Sequence, residues 1–309
     1  MGRSDRTHDR DPTRFLPPGS GAGYPPLVEA NRDLVVVGAG AAGLAAGIFA
    51  AEEAARCGLE VRIQLLDGAR KLGAKILVSG GGRCNVTHSD VKPADFHGDP
   101  RFVARVLAAL DEAATASWFA DLGVALKREP TGKLFPVSDR ARTVRDALLG
   151  RCRRLGVAIR TDWRVEGVSV SPGGGFRLHG PRGAIEATRI VLATGGRSLP
   201  RSGSDGHGLE IARSLGHRVV PPVPALVPLR LGEGAPHRSL QGITQPATVT
   251  VRGEDGTIGA ARGGLLWTHF GVSGPAVLDA SRHWTCARRA GRAARVEVDL
   301  LPDDRPEEA

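Results

Sequence analysis

Aromatic residues are scarce in this sequence: four Trp, one Tyr and eight Phe among 309 residues. A surface that stacks bases on aromatic rings therefore has little to draw on. Cysteine is equally sparse. Cys57, Cys84, Cys152 and Cys286 lie far apart and no C-x-x-C occurs, which argues against a zinc ribbon or a vicinal redox dithiol. No apolar run approaches the ~18 residues that a membrane-spanning helix needs. The opening stretch, MGRSDRTHDRDPTRFLPPGSG, lacks the apolar core of a secretory signal. Arg6 stands where the myristoylation pattern requires Ser or Thr. These absences predict a cytoplasmic protein with no membrane partner and reduced thiols.

The rest of the composition is that of a folded protein. Hydrophobic residues make up 41% and charged residues 24%. A chain of this length holds two domains, or one large α/β domain with an insertion. The 42 basic and 33 acidic residues leave a net charge of +9, and 37 of the basic residues are Arg. They are scattered, as an arginine-biased composition spread over solvated faces would be, so no nucleic-acid partner is expected. Glycine, at 42 residues and without collagen period, predicts many tight turns.

Residues 1–31 are rich in Pro, Gly, Arg and Asp, without periodicity, and read as a disordered tail. Order is expected from Asp33. Leu34 to Val37 is a short apolar run stopped by glycine, the pattern of a strand buried on both faces. Ala41 to Cys57 favours helix, with Gly58 as its stop, and Leu59 to Leu66 reads as a second strand. A helix is predicted from about Arg101 to Leu122, with Phe102, Val106, Leu110 and Ala113 on one face. Another should run from an N-cap at Ser138 to Leu155. Val165 to Ile185, cut by two Gly/Pro clusters, reads as an antiparallel meander, and Arg189 to Ala193 as a further strand.

The strongest chemical signal is Gly38-Ala39-Gly40-Ala41-Ala42-Gly43. Alone, G-x-G-x-x-G is weak. Here a strand precedes it, a helix follows, and Asp67 ends the next strand. Gly38 permits the tight turn, Gly40 lets a pyrophosphate approach the backbone, and Gly43 lets helix and strand pack closely. The helix N-terminus offers unpaired N–H groups and partial positive charge, and Asp67 can accept hydrogen bonds from ribose hydroxyls. FAD is favoured over NAD. The turn lies near the start of the ordered chain, a meander follows the helical region, and a later strand ends in Ala193-Thr194-Gly195-Gly196, glycines that permit close approach to a flavin. The triple glycine Gly80-Gly81-Gly82 suits a backbone that lies against a ligand, and Arg83 can offset phosphate charge.

Gly73 and Lys75, followed by Ser79-Gly80-Gly81-Gly82-Arg83-Cys84-Asn85-Val86-Thr87, resemble a block of a bacterial flavoprotein family. That family is similar to aminoacetone oxidases and is described as NAD(P)/FAD-dependent oxidoreductases. Gly132 to Ser138, Gly203 to Gly206 and Thr268 to Pro275 resemble it too, in the family's order. The resemblance implies an α/β fold: a FAD-binding Rossmann-type (two-dinucleotide-binding) domain with an inserted β-rich second domain. It implies pyrophosphate contacts at Gly38, Gly40, Ala42 and Gly43 and a ribose contact at Asp67. Lys75 belongs to the same block, and Ser79, Gly82, Arg83 and Asn85 would line the pyrophosphate and flavin. Val165 would offer backbone groups to adenine, and Thr194 and Gly195 would lie against the cofactor. The domains expected are 32–200, FAD-binding with the meander, and 201–309, a β-rich substrate or cap domain. The family pattern continues past the Val296–Pro302 region, so this second domain is expected to be incomplete at its C-terminal end.

The function this implies is hydride transfer between flavin N5 and a small organic substrate, with oxygen or a nicotinamide cofactor as the open choice of electron acceptor. The other class is a truncated, non-catalytic flavin- or nucleotide-binding remnant of such an enzyme. His269, in a Thr-His-Phe-Gly run, is the candidate catalytic group for a substrate-side proton, against the alternative of a structural turn histidine. No metal site is expected.

Overall fold

The computed structural model describes residues 28–302 apart from 97, 236 and 237. The chain divides between Gly195 and Gly196 into two compact units.

The first unit opens with β1 (Val28–Val37), α1 (Ala41–Arg56), β2 (Ile63–Leu66) and the short α2 (Ala74–Val78). There follow β3 (Thr87–His88), α3 (Pro100–Ala109), α4 (Glu112–Asp121), β4 (Leu126–Arg128), β5 (Lys133–Pro136) and α5 (Ala141–Arg154). It closes with β6 (Ala158–Arg160), β7 (Gly167–Val170), β8 (Phe176–Gly180) and β9 (Gly183–Leu192). A six-stranded sheet runs in the order β6-β2-β1-β9-β8-β7, with β6, β2, β1 and β9 parallel and β9, β8 and β7 antiparallel. Val35, Val36, Leu65 and Leu66 are almost wholly buried, as the unbroken apolar runs of a parallel sheet require. The inner face of α1, with Leu44 and Ile48, shares a core with Val36 and Leu65 and with Val144 and Leu148 of α5.

The structure departs from the sequence expectations in several places. β1 begins at Val28, because β9 is long enough to pair with it from Val28↔Ala184 onward. The remainder of the expected tail, 1–27, lies outside the described residues. β2 is only four residues long. The last strand of the meander and the return strand are one strand, β9. The helix expected from 101 to 122 breaks in two at Leu110, where Asp111 caps a new helix by accepting the amide of Ala114 at 2.7 Å. Its apolar face is open: Phe102 is 67% and Val106 53% exposed. Finally, α5 is capped at Arg140, and the Ser138 hydroxyl meets Thr143 instead. An unexpected three-stranded sheet, β3-β5-β4, lies between α2 and α5 in sequence.

The second unit contains α6 (His207–Ser214), β10 (Leu229–Arg230), β11 (Thr244–Gly253), β12 (Gly256–Thr268), β13 (Gly271–Ser273), α7 (Pro275–Arg289) and β14 (Arg295–Asp299). Its sheet has the order β10-β13-β12-β11-β14. Val249, Val251 and Leu265 bury against Ala276, Val277 and Ala280 of α7. Among the described residues, no helix is long and apolar enough to cross a membrane.

Candidate functional site

The carboxyl ends of β1, β2 and β9 meet at one place, held by the backbone. The amide of Gly38 donates to Leu66 O at 2.7 Å, and that of Ala193 donates to Val37 O at 2.8 Å. Gly38 turns the chain with φ +103°, and a Cβ there would stand 2.6 Å from Ala193 O. A Cβ on Gly43 would stand 1.8 Å from Gly38 O, so helix and turn touch as the third glycine allows. Gly40 is different. A Cβ on it would meet nothing within 4 Å. Gly40 caps α1 with no side-chain hydrogen bond, and Ala41 and Ala42 are exposed. The first amides of a sixteen-residue helix thus face open space, as an anion site requires.

Asp67 sits beside this opening. One carboxylate oxygen accepts the Ala39 amide at 2.7 Å and the other accepts that of Ala69 at 2.8 Å. A carboxylate has about four acceptor positions. Two remain for ribose hydroxyls. The Asp67 carbonyl accepts the amide of Trp163 at 3.0 Å, which brings the chain leading to the buried Val165 to the end of β2. Thr194 and Gly195, the latter with φ +77°, follow β9 directly behind Gly38. These residues come together as the sequence expects.

Ser79 to Asn85 forms a tight excursion. Gly80, Gly81, Gly82 and Cys84 all take positive φ, between +55° and +86°. At Gly80 the close approach is demanding: a Cβ would lie 2.8 Å from both the Asn85 amide and the Phe135 ring. The Ser79 hydroxyl donates back to Ile76 O at 2.9 Å. The Cys84 side chain is buried in the same core cluster that holds Ala39 and Leu44. Burial pushes its thiol up. Lys75 lies one turn before it, in α2.

Arg83 is already engaged. Its guanidinium pairs with Glu129, lies 3.7 Å from Asp139 and stands 4.0 Å over the Phe135 ring. The bond to Glu129 raises its pKa further. Lys127 pairs with Asp139 and holds that carboxyl below its ordinary value. Arg83 therefore ties the excursion to the β3-β5-β4 sheet, with its charge largely compensated. Arg140 and Arg142 differ in having no ion-pair partner among the described residues. With Leu77, Gly82 and Ala141 they line a cleft of about 490 Å³ at the start of α5. The sequence reading missed them. The available signal was their place at a helix start, two to four residues after the Gly132–Ser138 block.

His269 lies in the second unit, at the exposed tip of the β12–β13 hairpin, edge-on to Phe270 with ring centres 5.0 Å apart. Among the described residues there is no cluster of His, Cys, Asp and Glu that could hold a metal ion.

The family described as "HI0933-like protein Rossmann domain" matches residues 32–281. The chain belongs to this family. Its members are FAD-binding Rossmann proteins of the flavoprotein oxidoreductases, and FAD is the cofactor. The residues fit that group: an uncapped helix start, an opening that a Cβ at Gly40 would fill, and a carboxylate with acceptor positions to spare. Among relatives of this HI0933-like chain, a 3-dehydro-bile acid delta(4,6)-reductase of Clostridium scindens is 36% identical over 84% of the chain and 63% of its own length. A ribosomal RNA dihydrouridine synthase of Escherichia coli is 36% identical over 88% of the chain and 64% of its own. The chain thus spans less than two thirds of either relative. A solved 3-ketosteroid-delta4-(5alpha)-dehydrogenase of Rhodococcus jostii RHA1 is 20% identical, covers 62% of this chain and 55% of its own, and superposes with a TM-score of 0.47. That likeness is too loose to bear on function.

Proposed function

We propose that this chain is the FAD-holding part of an oxidoreductase that passes a hydride between flavin N5 and a small organic substrate. One observation carries the reading: the uncapped start of α1 faces open space at Gly40, with Asp67 beside it. The amides of Ala41 to Gly43 would hold the pyrophosphate, Asp67 the ribose, and the backbone near Val165 the adenine. Lys75, Ser79, Gly82 and Asn85, with Arg140 and Arg142, would line the path from the phosphates toward the ring, and Thr194 and Gly195 its other side. FAD, when bound, supplies the N5 position that gives or takes the hydride.

The relatives favour the reductive direction. Their names describe a delta(4,6)-reductase and a synthase of dihydrouridine, both consistent with saturating a carbon–carbon double bond in a ring. An unsaturated ring compound is accordingly the substrate class proposed, with a nicotinamide cofactor as electron source. The aminoacetone-oxidase resemblance would run the same site in the oxidative direction. His269 is the group proposed to manage a proton on the substrate. Four free thiols suit a reducing cytoplasm.

The test is reconstitution. The purified chain, mixed with FAD and desalted, should keep a yellow flavin band, and Gly40→Val should lose it while keeping its circular dichroism. A colourless wild-type protein would overturn the proposal.

A further inference from the structure

The first unit carries another concavity, on the sheet edge opposite the meander. It opens beside β6, the edge strand, between the segment that follows β2 and the side of α5, and has a volume of about 440 Å³. Small-molecule sites occupy roughly 300–1,000 Å³. Neither the glycine turn nor Asp67 lines it.

Four cations line this cleft, Arg70 and Lys71 after β2 and Arg145 and Arg153 on α5, and no acidic side chain does. Other arginines of this unit meet carboxylates: Arg62 meets Asp33, Arg151 meets Glu52, and Arg177 meets Glu186. Arg145 pairs at 2.6 Å with Asp146, which is not part of the lining. Arg70, Lys71 and Arg153 have no ion-pair partner among the described residues. Like charges gathered in a concavity repel one another, and the low-dielectric walls focus their field. An anionic ligand relieves that repulsion.

The ligand's shape follows from the spacing. Arg145 and Arg153 are eight residues apart on one helix, about 12 Å along its axis. A ligand with an anionic group at each end can engage both. Between them, Leu149 with Val157 and Ile159 forms an apolar floor, and Thr161 adds a hydroxyl. The complement is a molecule with phosphates at two ends and a flat, weakly polar middle. Guanidinium forks suit phosphate oxygens at such ends. We propose that this cleft binds a nucleoside bisphosphate group, its base and sugar on the apolar floor and its two phosphates on the cations at either end. Such a group occurs free or as the end of a larger cofactor. The inference does not depend on the flavin reading.

The experiment is calorimetric titration of the whole 309-residue chain, with and without excess FAD, using 2′,5′-ADP and 3′,5′-ADP as probes. At least one should bind once per chain, equally well with FAD present. Which one binds distinguishes a 2′-phosphorylated source from a 3′-phosphorylated one. The pair Lys71→Glu with Arg153→Glu should weaken binding by at least about 10-fold, a loss of ~1.4 kcal/mol, and leave FAD uptake unchanged. The neutral pair Lys71→Gln with Arg153→Gln serves if the reversed one fails to fold. Four results would overturn the proposal: no binding of either probe, binding abolished by FAD, inorganic phosphate binding as tightly as the probes, or a short RNA binding where neither probe does.

Discussion

The carboxylate of Asp67 accepts the main-chain amide of Ala39 at 2.7 Å, across 28 residues of sequence. The acid that the motif assigns to a ribose is thus also a strut between the end of β2 and the glycine turn. Ala39 is fully buried, so its amide depends on this acceptor. Asp67→Ala should cost about 1–3 kcal/mol in urea unfolding, the penalty of an unsatisfied buried donor, and should also lose FAD. Asp67→Asn, which keeps one acceptor oxygen, should lie between. Wild-type stability in Asp67→Ala would show that the strut carries no load.

The glycines of the turn should separate stability from binding. Gly43 faces Gly38 O at a distance no Cβ can share, so Gly43→Ala should cost ~3 kcal/mol or more. Gly40 has φ −79° and open space around it, so Gly40→Ala should change stability by less than about 1 kcal/mol while weakening FAD retention. Thermal midpoints with and without FAD read both effects. Equal stability losses at the two positions would contradict this division.

This part of the molecule was legible because its spacing is local. Strand, turn, helix, strand and a terminal acid lie within Leu34–Asp67, and each glycine there has a steric task that the chain order alone defines. The pairing of Arg83 was not legible because its partner is distant: Glu129 is 46 residues away. No local pattern announces that a basic residue beside a triple glycine is already paired. The helix over 101–122 was overextended because the apolar spacing continues through Leu110, while the Asp111 cap that breaks it competes at a single residue. The apolar face of α3 shows that helical periodicity records amphipathicity, not what covers it. Val28 to Asn31 was read as tail because its strand character comes from pairing with β9, more than 150 residues on.

His179 gives the fold a pH dependence near neutrality. It lies on β8, with Nε2 3.1 Å from the Ser169 hydroxyl. Burial holds its pKa below the usual 6.5, and Arg177 lowers it further against a smaller opposing pull from Glu186. A group whose pKa is depressed on folding binds protons more readily when unfolded. Its contribution is therefore intact above pH 6.5 and declines as pH falls through the folded-state value. The thermal midpoint should drop as pH falls below 6.5, and His179→Gln should flatten that slope. An unaltered slope would place the sensitive group elsewhere.

The four thiols should divide into two pairs. Cys57 and Cys286 are exposed, whereas Cys84 and Cys152 are buried. Cys152 faces the Leu44 carbonyl at 3.8 Å, and burial pushes its thiol up to about 11. Thiolate, not thiol, attacks a disulfide reagent, so Cys152 is protected by both access and ionisation. Cys84 is 8% exposed and its thiol is raised by burial. An aromatic disulfide reagent at pH 8 should therefore label the exposed pair promptly and all four only after unfolding. Peptide mapping of the fast fraction identifies the sites. Rapid labelling of Cys84 would mean that the Ser79–Asn85 excursion opens without global unfolding.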